Sequence, residues 1–169
     1  PGSVLFHSVV EVSVTPSGAV GFAAVIDEND QVQVARFDRS RAPGHQWGSE
    51  VAVGTAVAPG VSSFGGHPHL ALALAPSGEA VLAWERREPG SQNTSLWAAR
   101  ADVAGAWSDP EPLSPSGASE GHPSIGVDAT GRALVTFRRV VPDGTEVWAL
   151  RGFPDGGWAA PVLVADDVP

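Results

Sequence analysis

The chain of 169 residues contains no cysteine, methionine, tyrosine or lysine. Without cysteine there are no disulfides, no thiolate metal sites and no thiol nucleophile. Without lysine, all ten basic residues are arginine, which fits a genomic bias towards GC-rich codons. No apolar run is long and uninterrupted enough to span a bilayer. No secretion-signal pattern is read in these residues, and the opening Pro1–Gly2–Ser3 is expected to be a leftover of cloning and is set aside from the fold. Positive charge is scarce: the formal net charge is −9. That disfavours nucleic acid and anionic membrane, because no basic stripe exists to displace counterions. The composition fits either side of a bacterial membrane, with a secreted or cell-surface place favoured over the cytoplasm.

What the chain does have is a repeat. "HSVVEVSVTPSG" at 7–18, "HPHLALALAPSG" at 67–78 and "HPSIGVDATG" at 122–131 each join a histidine, an apolar run and a Gly turn. A second strand follows each turn, at "AVGFAAV", "EAVLAWE" and "RALVTFR". A third carries Arg36, Arg100 or Arg151 at its end, and Trp47, Trp107 or Trp158 lies beyond a short turn. A fourth strand closes each unit at "SEVAV", "PEPLS" and "APVLV". Alternation such as Val10, Val12, Val14 has the period of two that marks a strand. Twenty Gly and fifteen Pro punctuate the gaps, and no segment keeps a helical period.

The sequence therefore predicts an all-β fold of three four-stranded antiparallel blades, at about 4–60, 61–115 and 116–169 of one unit spanning 4–169. A plain β-sandwich is the alternative. Propellers usually close with four or more blades. Three leave an apolar sheet face open at each end, and such faces imply a partner. The expectation is half of a six-bladed β-propeller closed by a homodimer, with a piece of a longer propeller as the competing explanation.

"ADVAGAWSDPEPL" at 101–113 and "PDGGWAAPVLV" at 154–164 resemble the sialidase-like, Asp-box group of β-propellers. In that group an Asp-x-Gly-rich turn joins the third and fourth strands with a Trp behind it. Asp102, Gly105 and Trp107 match, as do Asp155, Gly156 and Trp158, while the first unit offers Gly44 and Trp47. The resemblance implies a structural turn on the face away from an active site. The tyrosine nucleophile of sialidases is missing. Arg36, Arg100 and Arg151 sit at the wrong end of the blade to clamp a substrate carboxylate; they are expected to pair with nearby acids or cap turn carbonyls. The chain is also similar to six-bladed fucose-binding lectins, some of which assemble from short chains. In those, sugars sit between blades against Trp, Arg and Glu. Here Trp84, Glu85 and Arg86 in "WERRE", with Phe137 and Arg138 in "TFRR", are the matching candidates. The competing reading makes Trp84 and Phe137 core residues, where the first unit has Ala24.

His7, His67 and His122 are expected to ring one mouth of a central pore, where neutral imidazoles could bind a metal or an anion. The plainer expectation is that they shape the entry to each strand, and no metal or cofactor is assigned. His69 lies two residues beyond His67 and could share its side. The sequence thus points to a non-catalytic binding or assembly module with its ligand, a glycan being the candidate, at the pore mouth or between blades. A lectin and a fragment of a sialidase-like glycoside-acting enzyme are the alternatives.

Overall fold

The computed structural model describes residues 10–57, 68–89, 93–114 and 119–166. They form twelve strands. The first sheet holds β1 (Val10–Val14), β2 (Val20–Ile26), β3 (Gln31–Asp38) and β4 (Val51–Thr55). The second holds β5 (Leu70–Leu74), β6 (Ala80–Arg87), β7 (Thr94–Ala101) and β8 (Glu111–Pro112). The third holds β9 (Ser119–Val127), β10 (Ala133–Val141), β11 (Gly144–Gly152) and β12 (Val162–Ala165). Each sheet is an antiparallel meander in chain order. This is the blade architecture expected from the repeat, and the β-sandwich alternative falls away.

The turn chemistry is local. Gly78 closes the β5–β6 hairpin at φ 100°, where a side chain would be strained, and its N–H donates to the Ala75 carbonyl. Gly18 and Gly131 take the same role. The closing bond runs from Thr15 to Val20, from Ala75 to Glu79 and from Asp128 to Arg132. The first hairpin is therefore one residue longer. The residue equivalent to Trp84 and Phe137 is Val25, not Ala24, because the extra residue shifts every following position of β2.

The core lies in the seams between blades. Phe22, Ala24, Ile26, Val32 and Val34 of the first sheet pack against Leu70, Leu72, Leu82 and Trp84 of the second. Ala83, Leu96, Ala98 and Leu113 of the second pack against Val135, Phe137 and Leu150 of the third. Alternating residues of β6 thus serve both seams, which is why its sequence is apolar on both faces. Trp84 and Phe137 are each 1 % exposed. Trp84 donates its Nε1–H to the Thr55 carbonyl (3.0 Å), and Gly54 leaves the room: a Cβ there would lie 2.6 Å from the indole. Both aromatics are core, so neither offers a face to a sugar.

The turn beyond the third strand is held differently in the three blades. Asp102 Oδ1 accepts the Ala106 N–H (2.9 Å), and its carbonyl accepts the Gly105 N–H. In the third blade that position belongs to Phe153, not Asp155, since the Gly156 N–H donates to the Phe153 carbonyl. In the first blade it belongs to Asp38, whose carboxylate binds the Ser40 N–H and hydroxyl. Those hydrogen bonds hold the Asp38 carboxyl below its usual pKa.

Candidate functional site

The seam between the second and third blades carries an unusual set of polar groups at one end. It is the end where β6 and β10 finish and β5, β7 and β9 begin. Glu85 projects from β6 on the face toward the third blade, at a position the first blade fills with Ile26. Its side chain is 7 % exposed. Glu85 Oε1 accepts His69 Nδ1 (2.9 Å) and the main-chain N–H of His122 (2.6 Å); Oε2 accepts the N–H of His69 (3.2 Å). Three donors converge on this buried carboxylate and satisfy its oxygens.

The third blade makes room for that carboxylate. Gly121 faces it, and His122 follows in the left-handed region at φ 52°. Thr136 pairs with Ser124 and Arg138 with Gly121, so both His122 and Pro123 stand opposite Phe137. This is a β-bulge, a device that bends a strand and re-aims a side chain. It turns the His122 ring onto the His69 ring, with centroids 3.9 Å apart and planes tilted by 40°.

A bond from Nδ1 to a carboxylate requires Nδ1 to carry the proton, which leaves Nε2 of His69 as the lone-pair nitrogen of the neutral ring. The His69 side chain is 42 % exposed, so that nitrogen can meet a ligand. The pKa of His122 is lowered, first by its partial burial and then by His69, against the pull of Glu85, with Arg138 adding to the fall. A lowered pKa keeps this imidazole uncharged near neutrality. The cleft over the pair has a volume of about 220 Å³, and Thr94, Ser119, Glu120, Arg138, Val140 and Thr145 complete its lining.

Glu120 is a second buried carboxylate, but it is committed. Arg139 donates to its Oε1 through Nε (3.0 Å) and Nη2 (2.7 Å), and Ser114 donates to Oε2. Arg139 also lies over the Trp148 ring at 4.2 Å. Arg86 lies over Trp97 in the same way, at 4.2 Å, so its guanidinium is part of the second blade's packing. A larger cleft of about 400 Å³ opens at the other end of the seam, around Glu79, Arg100, Trp107 and Asp155. Its groups belong to turns and seam packing.

Of the residues singled out from sequence, Glu85, His122 and Arg138 come together. Trp84, Phe137 and Arg86 do not join them. His7 and His67 lie outside the described residues. The pairing of His122 with His67 as equivalents is corrected: counting back from the turn glycines, His122 stands nine residues before Gly131 as His69 stands nine before Gly78. His69, placed from sequence only beside His67, is thus the counterpart of His122, and that count is its signal. The nearest ligand atoms of His69, Glu85 and His122 lie within 4.8 Å of one another, a spacing that a divalent cation could also bridge.

No family model matches the chain, and no curated protein matches it. Among solved structures, it is similar to an ulvan lyase of a new polysaccharide lyase family, with a TM-score of 0.59 at 9 % identity over 95 % of this chain and 43 % of that one. It is similar to an endo-arabinase from Bacteroides thetaiotaomicron, with a TM-score of 0.51 at 16 % identity over 96 % of this chain and 57 % of that one. A thermostable family-43 glycoside hydrolase gives a TM-score of 0.52 at 13 % identity over 97 % of this chain and 54 % of that one. The chain thus spans about half the length of these structures. At such identities the likeness establishes the fold, a β-propeller architecture shared with carbohydrate-active enzymes. It also corrects the expectation of a non-catalytic module: the similar folds are enzymes, and the cleft holds a histidine–carboxylate dyad that the sequence pattern had hidden.

Proposed function

We propose that this chain contributes the active cleft of a polysaccharide-cleaving β-propeller, and that the reaction is β-elimination on an acidic polysaccharide. The observation that carries the reading is the Glu85–His69 hydrogen bond, which leaves Nε2 of a half-exposed imidazole free to accept a proton. His69 takes the proton from the carbon next to the uronate carboxylate. The electron pair forms the new double bond, and the glycosidic C–O bond breaks. The departing oxygen takes a proton from water or from the newly formed imidazolium. Arg138, exposed at the cleft, supplies positive charge for the carboxylate while negative charge builds on it. His122 stays neutral beside the base, which avoids opposing a second cation to the imidazolium.

Hydrolysis would require two available carboxylates across the bond. Glu120 is tied to Arg139 and Ser114, so elimination is the better fit. The test is digestion of a panel of uronate-containing and neutral polysaccharides. Products are followed by the ultraviolet absorbance of the unsaturated uronate and, separately, by new reducing ends. Unsaturated ends on uronate polymers support the reading. Reducing ends without unsaturation would replace it with hydrolysis.

A further inference from the structure

We infer that a second copy of this chain closes the ring, seating its Trp47 turn on Arg151 of the first and returning the same contact on the other side. The inference does not depend on the reaction proposed above. It rests on an arginine that in both internal seams reaches the tryptophan turn of the next blade, by different contacts.

In the first seam, Arg36 of β3 reaches across to the Trp turn of the next blade. Its Nη2 donates to the Val103 carbonyl (3.3 Å), and its stem lies so close to Gly105 that a Cβ there would sit 2.6 Å from Cδ. Trp107 meets Phe22 of the first blade edge to face at 5.6 Å. Arg36 also pairs with Asp38 (3.5 Å), so the expected local pairing and carbonyl capping both occur, the capped carbonyl lying in the next blade. In the second seam, Arg100 of β7 lies 4.7 Å over the Trp158 ring, and Trp158 Nε1 donates back to Glu111 (2.7 Å). Burial in this seam lowers the Arg100 pKa from its ordinary value.

Arg151 holds the same register. Phe37, Ala101 and Gly152 each bridge the Trp of their own blade, and the arginine is the residue before each. Yet Arg151 is exposed, and Trp47 is 50 % exposed with no arginine of a preceding blade on it among the described residues. The faces around these two groups are unfinished as well. Val12 and Val14 stand 60 % and 57 % exposed on the open side of the first blade. Ala23, Val25 and Ala35 floor a groove of about 240 Å³ there, with Glu50 at its edge. On the open side of the third blade, Leu134 and Val162 are exposed beside Arg151.

One chain therefore carries two complementary half-seams: apolar with the Arg151 guanidinium at one end, apolar with a tryptophan turn and a carboxylate at the other. A head-to-tail pair satisfies both at once and closes without leaving an edge.

Light scattering coupled to size exclusion tests this on the intact chain. The expected mass is about twice 17.3 kDa. Arg151→Glu and, separately, Val14→Glu are expected to raise the dimer dissociation constant at least about tenfold, with the tryptophan near-ultraviolet dichroism of a folded blade retained. Arg36→Ala, which loosens an internal seam, is expected to lower the melting temperature and leave the mass unchanged. A wild-type monomer, an open-ended larger assembly, or dimers untouched by both charge substitutions would overturn the inference.

Discussion

Gly121 stands against Glu85: a Cβ at position 121 would come within 2.5 Å of Glu85 Oε1. The glycine of one blade is the space into which the other blade's carboxylate fits. Gly121→Ala is therefore expected to push Glu85 out of reach of His69 Nδ1 and lower turnover at least about tenfold, at a stability cost of about 1–3 kcal/mol for overpacking. Activity and thermal melts measured on the same preparation check it.

Glu85→Gln removes the charge and keeps the shape. A glutamine can still accept from one donor, but it no longer stabilises an imidazolium on His69. The expected result is a fall in kcat of about 10²–10⁴ with KM little changed. A variant that loses KM and keeps kcat would make Glu85 a binding residue instead.

Trp84 is the largest fully buried side chain among the described residues. Trp84→Ala is expected to cost about 3–5 kcal/mol in denaturant melts, because the cavity between Gly54 and the inner strands cannot collapse onto a backbone already in contact. Gly54→Ala is expected to destabilise as well, through the clash with the same ring.

Acid is expected to weaken the fold before the carboxylates titrate. The His122 pKa is lowered in the folded chain, so the unfolded chain binds a proton first as pH falls below the ordinary histidine value of about 6.5. Stability contributed by the neutral ring is complete above that value and is lost as pH drops through it towards the folded pKa. Burial is the first cause of the shift, His69 and Arg138 add to it, and Glu85 opposes it. Melting temperatures from pH 8 to pH 5 should fall more steeply for wild type than for His122→Asn.

The blades were legible because their signals are local. A turn glycine, a period of two and a tryptophan beyond each third strand are read from a few neighbouring residues, and all three recur. The site was only half legible. Glu85 and Arg138 enter through the likeness to sugar-binding propellers, and His122 as the start of a repeat. Their meeting depends on the bulge at His122–Pro123, whose register is set by Phe137 on another strand. The histidine at the head of each repeat was a misleading anchor. The hairpin glycine is the fixed point, since its backbone conformation admits few substitutes, and counting from it finds His69. The reach of Arg36 to Val103 was hidden for the same reason: seams form between residues far apart in the chain.

The account stands on His69 as the proton acceptor of the cleft. The most direct measurement is the initial rate of unsaturated-product formation from an anionic polysaccharide by wild type and by His69→Ala, both verified as folded. The account predicts steady formation by the first and at least about a hundredfold loss in the second. Equal rates from both proteins, or none from the wild type on any uronate polymer, would contradict it.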